Sequence, residues 1–284
     1  MALKYARVAL KRVLRGFMTL VPNVAKEKLA RGELSVGFSL RQARTTDIAP
    51  IAKACGFDWL KIDLEHNSMN LDMAAQISVA ALAWGVTPIV RVPGPEHWQA
   101  TRLLDTGAQG IIVPHVETAE MARQVVEQCK FPPLGKRSLT GGLPQLSFAA
   151  ANYPPSELVE LLNDNIIIVL MLESGLAIEN LEAIAAVDGV DVLYIGTNDL
   201  CADLGITGQL GHDRIVQAYE RMIAACKKYG RTPGMAGVYD HALMARYVGM
   251  GARFLQGGVD LAFMMQGAKT RMDFLASIPL STDD

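Results

Sequence analysis

Ile166-Ile167-Ile168-Val169-Leu170-Met171-Leu172-Glu173-Ser174 is an unbroken apolar run that ends in a carboxylate. A strand this apolar along its whole length is covered on both faces, as parallel strands beneath helices are. In an α/β barrel the residue at the C-terminal end of such a strand stands at the mouth, where the chemistry is done. One helix later comes Asp191-Val192-Leu193-Tyr194-Ile195, followed by Gly196-Thr197-Asn198-Asp199-Leu200. Two neighbouring strands therefore bring an acid each, Glu173 and Asp199, to one rim.

Working outward, strand and helix patterns alternate eight times from Leu34 onward. Strands are predicted at 35–40, 58–64, 87–92, 109–114, 166–172, 191–195, 233–237 and 252–256. Amphipathic helical segments fall at 71–83, 97–106, 118–128, 177–186, 214–229 and 241–248. The phrases Cys55-Gly56-Phe57-Asp58, Thr106-Gly107-Ala108-Gln109 and Met250-Gly251-Ala252-Arg253 each stop a helix at Gly and enter a strand at once. This repetition predicts a (β/α)8 TIM barrel over residues 33–284. An open doubly wound sheet is the weaker alternative, because no G-x-G-x-x-G phrase opens a helix.

Residues 1–32 read as a separate extension. Lys4, Arg7, Lys11, Arg12 and Arg15 alternate at helical spacing with Leu3, Ala6, Leu10, Val13, Leu14 and Phe17, a basic amphipathic helix. Such a helix either packs on its own barrel or a neighbouring subunit, or serves as a transit or membrane-surface segment. The chain has 284 residues, half of them apolar, with a net charge of −2, which gives no case for a nucleic-acid partner. Its four dispersed cysteines, without a C-x-x-C pair, fit a reducing cytoplasm. No apolar run approaches the ~20 residues of a membrane span.

In Trp59-Leu60-Lys61-Ile62-Asp63-Leu64-Glu65-His66 polar and apolar residues alternate, so Leu60, Ile62 and Leu64 face the helices while Lys61, Asp63 and Glu65 face the barrel interior. Charges there are paired or used; Lys61 and Asp63 are either a lysine–carboxylate network tying the layers or part of the site. His66, just past the strand, is the stronger catalytic candidate. Arg91 ends the third strand among apolar residues and either binds an oxyanion or pairs with an acid such as Glu65. His115 follows the fourth strand and reads as structural or peripheral. The stretch from Phe131 to Tyr153 has no periodicity and is expected to overhang the mouth, where Lys136, Arg137 and Gly141-Gly142 could donate to an anionic substrate; the alternative is a Pro-braced surface loop.

Taken together, Gly56-Phe57-Asp58-Trp59, Ile62-Asp63-Leu64-Glu65-His66, Val90-Arg91, Pro132-Pro133-Leu134-Gly135-Lys136-Arg137, Leu172-Glu173-Ser174, Gly196-Thr197-Asn198-Asp199-Leu200 and Gly257-Gly258-Val259-Asp260 resemble the metal-dependent (class II) pyruvate aldolases. These belong to the aldolase/citrate lyase family and include 4-hydroxy-2-oxoheptanedioate aldolase and 2-keto-3-deoxy-sugar-acid aldolases. The resemblance runs in order from about Leu34 to Leu275. It implies a lyase that cleaves or forms the C3–C4 bond of a 4-hydroxy-2-oxo acid, giving pyruvate and an aldehyde. It implies Glu173 and Asp199 as ligands of a divalent metal (Mg²⁺, Mn²⁺ or Co²⁺), Arg91 at the keto oxygen of pyruvate, and His66 as base with Asp105 orienting it. It also implies a last helix exchanged between subunits of a trimer or hexamer. Two departures bear on the substrate: Met171 where relatives commonly carry Gln, and Thr197-Asn198 where they read Pro-Ala. The rival functions are a lyase acting on a CoA thioester and a catalytically silent barrel that binds an oxo acid.

Overall fold

In a computed structural model that describes residues 20–94, 98–149 and 153–280, eight parallel strands close into one barrel in the order β1 to β8. They are β1 (Ser35–Leu40), β2 (Trp59–Asp63), β3 (Thr87–Arg91), β4 (Gly110–Val113), β5 (Ile167–Leu172), β6 (Val192–Gly196), β7 (Thr232–Ala236) and β8 (Phe254–Val259). The helices are α1 (Val24–Ala30), α2 (Ile48–Ala54), α3 (Leu71–Ala83), α4 (Trp98–Asp105), α5 (Ala119–Cys129), α6 (Pro155–Asn165), α7 (Gly175–Glu179), α8 (Leu181–Ala185), α9 (Thr197–Asp203), α10 (Asp213–Tyr229), α11 (His241–Met250) and α12 (Asp260–Ala276). Side chains on the strands' outer faces, such as Leu60, Ile62, Ile168 and Leu170, join the helices in one core. The inner faces form a second core of Trp59, Ile89, Ile112, Ile167, Val169, Met171, Tyr194 and Phe254.

Small residues let this interior close. A Cβ on Gly37 would lie 2.2 Å from the Trp59 indole, which itself stacks on Phe254 with ring centres 4.2 Å apart. The interior alternation of β2 is as its pattern implies: Leu60 and Ile62 lie in the outer core, while Lys61 and Asp63 are buried inside. Lys61, however, donates to the Gln256 amide oxygen at 2.9 Å and, among the described residues, to no carboxylate. The helix-stop phrases work as expected, with Gly56 at φ +85° and Gly251 at φ +133°, conformations that cost an L side chain strain.

Three elements differ from the sequence reading. The segment expected as one helix over 177–186 is two, α7 and α8, meeting at Asn180, whose side chain donates to the Glu117 carbonyl at 2.9 Å. Of the stretch from Phe131 to Tyr153, the described residues lie under the barrel, not over its mouth. It follows α5 and leads through α6 into β5, and Leu143 and Leu146 pack with Leu20, Phe131, Leu158 and Leu162, with Gln145 donating to the Leu104 and Ala108 carbonyls just before β4, which places it at the strands' N-terminal end. Arg137 accordingly donates to Asp105 at the end of α4 (2.6 Å), over the Phe131 ring. Third, α1 closes the barrel floor: Ala25 reaches the inner core, and Asn23 donates to the carbonyls of Gln109 and Asn165 at 3.1 and 2.7 Å.

The basic helix expected over 1–17 lies outside the described residues. Among the described residues no helix is long and apolar enough to cross a membrane.

Candidate active site

Strand ends supply the site. On β5 the inward positions run Ile167, Val169, Met171, so Glu173 continues them at the mouth; its carboxylate is buried and accepts the His115 backbone N–H at 2.9 Å. Room for it comes from Gly196, where a Cβ would stand 2.5 Å from Glu173 Oε1. Three residues on, Asp199 stands exposed in the first turn of α9. Burial pushes the Glu173 carboxyl up, and the charges of Asp199 and Glu65 push it further, against the pull of the His115 N–H and ring.

Next to Glu173, at the ends of β2 and β3, is a buried ion cluster. Arg91 at the end of β3 forks onto Asp63, Nε to Oδ1 at 3.0 Å and Nη2 to Oδ2 at 2.5 Å, and its Nη1 lies 2.7 Å from Glu65. Both readings of Arg91 thus have a footing: it is paired, and it is paired at the rim beside Glu173. Burial alone would raise the Asp63 carboxyl, but Arg91 outweighs it and the group is held below the usual range. Arg91 is held correspondingly high by Asp63, Glu65 and Glu173 in spite of its burial. Asp63 also accepts the N–H groups of Glu65 and His66 at 3.1 and 3.3 Å, which fixes the turn carrying His66. The His66 ring is 48% exposed, its Nε2 3.7 Å from Glu65.

The remaining expected residues divide. Asn198 is at the mouth, its amide donating to the Gly237 carbonyl at 3.1 Å. Met171 lies one pleat below Glu173, buried among the interior side chains. Asp105 ends α4 at the floor and accepts the Arg137 guanidinium at 2.6 Å; among the described residues of one chain it is not brought to His66. A helix that follows a strand runs back down the barrel, so its last residue cannot meet its own mouth.

The sequence reading also passed over two side chains that the structure brings in. His115, read as peripheral, adopts φ 55°; its Nδ1 lies 3.3 Å from Glu173 and its Nε2 3.4 Å from Glu65. A histidine directly after a strand's Val-Pro end was the available signal. The other is Arg41, the first residue after β1, whose Nε is 3.7 Å from Asp63.

Among the described residues no three His, Cys, Asp or Glu side chains gather to hold a metal. The Glu173–Asp199 pair nonetheless suits a hard divalent cation: both donors are carboxylates, one is buried, and the charge of Asp199 adds to the cost of charging Glu173. Two protein ligands leave most of an octahedral shell for water and substrate oxygens.

Known proteins share this arrangement of strands and motifs. The sequence profile of the HpcH/HpaI aldolase/citrate lyase family matches residues 40–266. A 4-hydroxy-4-methyl-2-oxoglutarate aldolase of Hapsidospora irregularis is 38% identical over 270 residues, covering 93% of this chain and 98% of that one. A 4-hydroxy-2-oxovalerate aldolase of Novosphingobium aromaticivorans is 35% identical over 247 residues, 87% of this chain and 92% of that one. Among solved structures, the HpcH/HpaI aldolase of Desulfitobacterium hafniense has a TM-score of 0.84 at 32% identity, covering 89% of this chain and 97% of its own. With a closed eightfold barrel, acids at the ends of β5 and β6 and this match along nearly its whole length, the chain belongs to the HpcH/HpaI aldolase/citrate lyase family.

Proposed function

We propose that the protein is a carbon–carbon lyase that cleaves, or in reverse forms, the C3–C4 bond of a 4-hydroxy-2-oxo acid, giving pyruvate and a carbonyl compound. The observation that carries this reading is the placement of Glu173 and Asp199 on adjacent strand ends with the buried Arg91 beside them. Glu173 and Asp199 would hold a divalent metal, which supplies Lewis-acid polarisation of the 2-oxo group.

Arg91 meets the negative charge that collects on the keto oxygen as the bond breaks. Asp63 and Glu65 fix the guanidinium beforehand, so no reorganisation is needed in the transition state. His66 accepts the proton of the C4 hydroxyl; the C4–O bond becomes a carbonyl, and the C3–C4 electron pair passes into the oxo acid, which is protonated at C3 to give pyruvate. The half-exposed ring of His66 keeps it open to substrate and solvent.

We further infer a homo-oligomer working in the cytoplasm, consistent with the exposed apolar side of α12 and with four free cysteines. The test of the activity is pyruvate release from a panel of 4-hydroxy-2-oxo acids, before and after dialysis against EDTA. Activity lost to EDTA and restored by Mg²⁺, Mn²⁺ or Co²⁺ is expected. Full activity after chelation, or borohydride trapping of pyruvate on Lys61, would overturn the metal-dependent reading.

A further inference from the structure

The mouth has two poles. Glu173 and Asp199 belong to β5 and its neighbour β6, and in a closed eight-stranded barrel β1 lies across from β5. On that far side stands Arg41. Phe38 and Leu40 of β1 face the outer core, so the alternation turns Arg41 inward, as its 3.7 Å approach to Asp63 also shows.

Arg41 carries a charge without a committed partner. The acid nearest to it, Asp63, is already filled: it receives Nε and Nη2 of Arg91 and two backbone N–H groups. Arg41 Nε is buried and has no hydrogen-bond acceptor among the described residues, while its side chain as a whole remains 41% exposed. Its backbone is nonetheless fixed. Asp260 accepts the N–H groups of Arg41, Gln42 and Ala43 at 2.7–2.9 Å, and Arg44 donates back to the Arg41 carbonyl at 2.7 Å. A held backbone, an open guanidinium and an unused donor are what an anion-binding arginine requires.

A second donor lies within reach of the Arg41 charge. Lys61 donates to the amide oxygen of Gln256, and the Gln256 NH₂ donates to the Tyr239 hydroxyl. That hydroxyl accepts from Gln256, which leaves its own hydrogen to be donated elsewhere. The positive charges of Arg41 and Arg91 both reach Tyr239, and both depress Lys61 beneath it.

We propose that Arg41 and Tyr239 form a docking site for a second carboxylate, at the end of the substrate remote from its 2-oxo acid group, so that the enzyme selects dicarboxylic 4-hydroxy-2-oxo acids. This rests on the aldolase reading for the placing of the 2-oxo acid at Glu173 and Asp199. In this reading a substrate anchored there by C1 and C2 would direct its far carboxylate toward β1. One guanidinium and one phenol suit a singly charged carboxylate, and the nearby Asp63 and Glu65 disfavour a more highly charged group.

The test compares binding of two non-cleavable oxo acids, 2-oxoglutarate and 2-oxobutanoate, to the Mn²⁺-loaded full chain by calorimetry. In Arg41→Gln, affinity for 2-oxoglutarate should fall roughly ten- to a hundredfold, and that for 2-oxobutanoate much less. Arg41→Lys, which keeps a point charge without the fork, should lose less than Arg41→Gln, and Tyr239→Phe should again weaken mainly the dicarboxylate. Equal weakening of both ligands, or undiminished 2-oxoglutarate binding in Arg41→Gln, overturns the proposal. The aldolase reading is read out separately, as pyruvate released by the unmodified protein from 4-hydroxy-2-oxoglutarate and 4-hydroxy-2-oxopentanoate. No pyruvate from either, with the binding difference intact, would sink the aldolase reading and leave the carboxylate site standing.

Discussion

At the scale of single residues, the proposed mechanism assigns Arg91 and His66 to different charges, and that difference can be measured. Arg91→Ala should depress both cleavage and the exchange of pyruvate's methyl protons with solvent, roughly a hundredfold if it resembles loss of one oxyanion donor. It should also cost about 3–5 kcal/mol of stability, because Asp63 is fully buried and would lose its counter-charge. His66→Ala should depress cleavage far more than exchange, since free pyruvate has no C4 hydroxyl. Deuterium entry into pyruvate, followed by NMR beside a coupled cleavage assay, separates the two; equal losses for His66→Ala would remove it as the hydroxyl base.

Lys61 makes a prediction about pH. Burial first, then the charges of Arg91 and Arg41, bring it down from its ordinary 10.5 to about 7. Between those values the unfolded chain holds this proton and the folded chain does not, so stability rises with pH across that window. Below about 7 both states are protonated and the slope from this group vanishes. Each such lysine contributes about 1.4 kcal/mol per pH unit within the window. Lys130, also brought to about 7 by burial, contributes in the same sense, so Lys61→Met should remove only part of the slope. Denaturant melts at pH 7.5, 8.5 and 9.5 would show this; an unaltered slope in Lys61→Met would mean that Lys61 stays charged in the fold.

At the scale of elements, α1 is short, and its place depends on its cap. Asn23 accepts the Lys26 N–H at 3.0 Å and donates to Gln109 and Asn165, while the Thr87 hydroxyl receives the Ala25 N–H at 3.0 Å. Asn23→Ala would strip the cap and leave two inward carbonyls without this donor. A loss of at least about 2 kcal/mol in denaturant unfolding is expected, with KM for the oxo acid little changed because the floor is remote from the mouth. A loss below 0.5 kcal/mol, on the order of an ordinary surface change, would mean that α1 is held by Ala25 and the Lys26–Asp191 and Lys28–Asp58 pairs alone.

At the scale of the whole molecule, α12 is the element a single chain does not satisfy. It buries no residue, and although Phe263 lies near the rings of Phe38 and Phe57, Met264, Met265, Met272, Phe274 and Leu275 remain exposed. An apolar face of this kind on a 17-residue helix fits contact with a second copy of the chain. Replacing Met265, Met272 and Phe274 together by Glu should lower the mass in light scattering to that of a smaller assembly. A native protein that is already a monomer at micromolar concentration would refute the contact.

Much of this could be read from the order of residues, because burial imposes a period on the chain. Apolar runs and their Gly stops located the eight strands to within three residues at every end, and the alternation in β2 sent Lys61 and Asp63 inward before any contact was known. Acids and bases next to strand ends could be assigned to the rim in the same way, since a barrel puts those ends together whatever the loops do. Tertiary structure decided which rim residues are free and which are spoken for. That Arg91 is taken up by Asp63 and Glu65 while Arg41 is left open depends on the register of β1, β2 and β3, and that Asp105 and residues 131–149 belong to the floor depends on each helix running back against its strand. Pairing across the barrel joins residues far apart in the chain, and no local period records it.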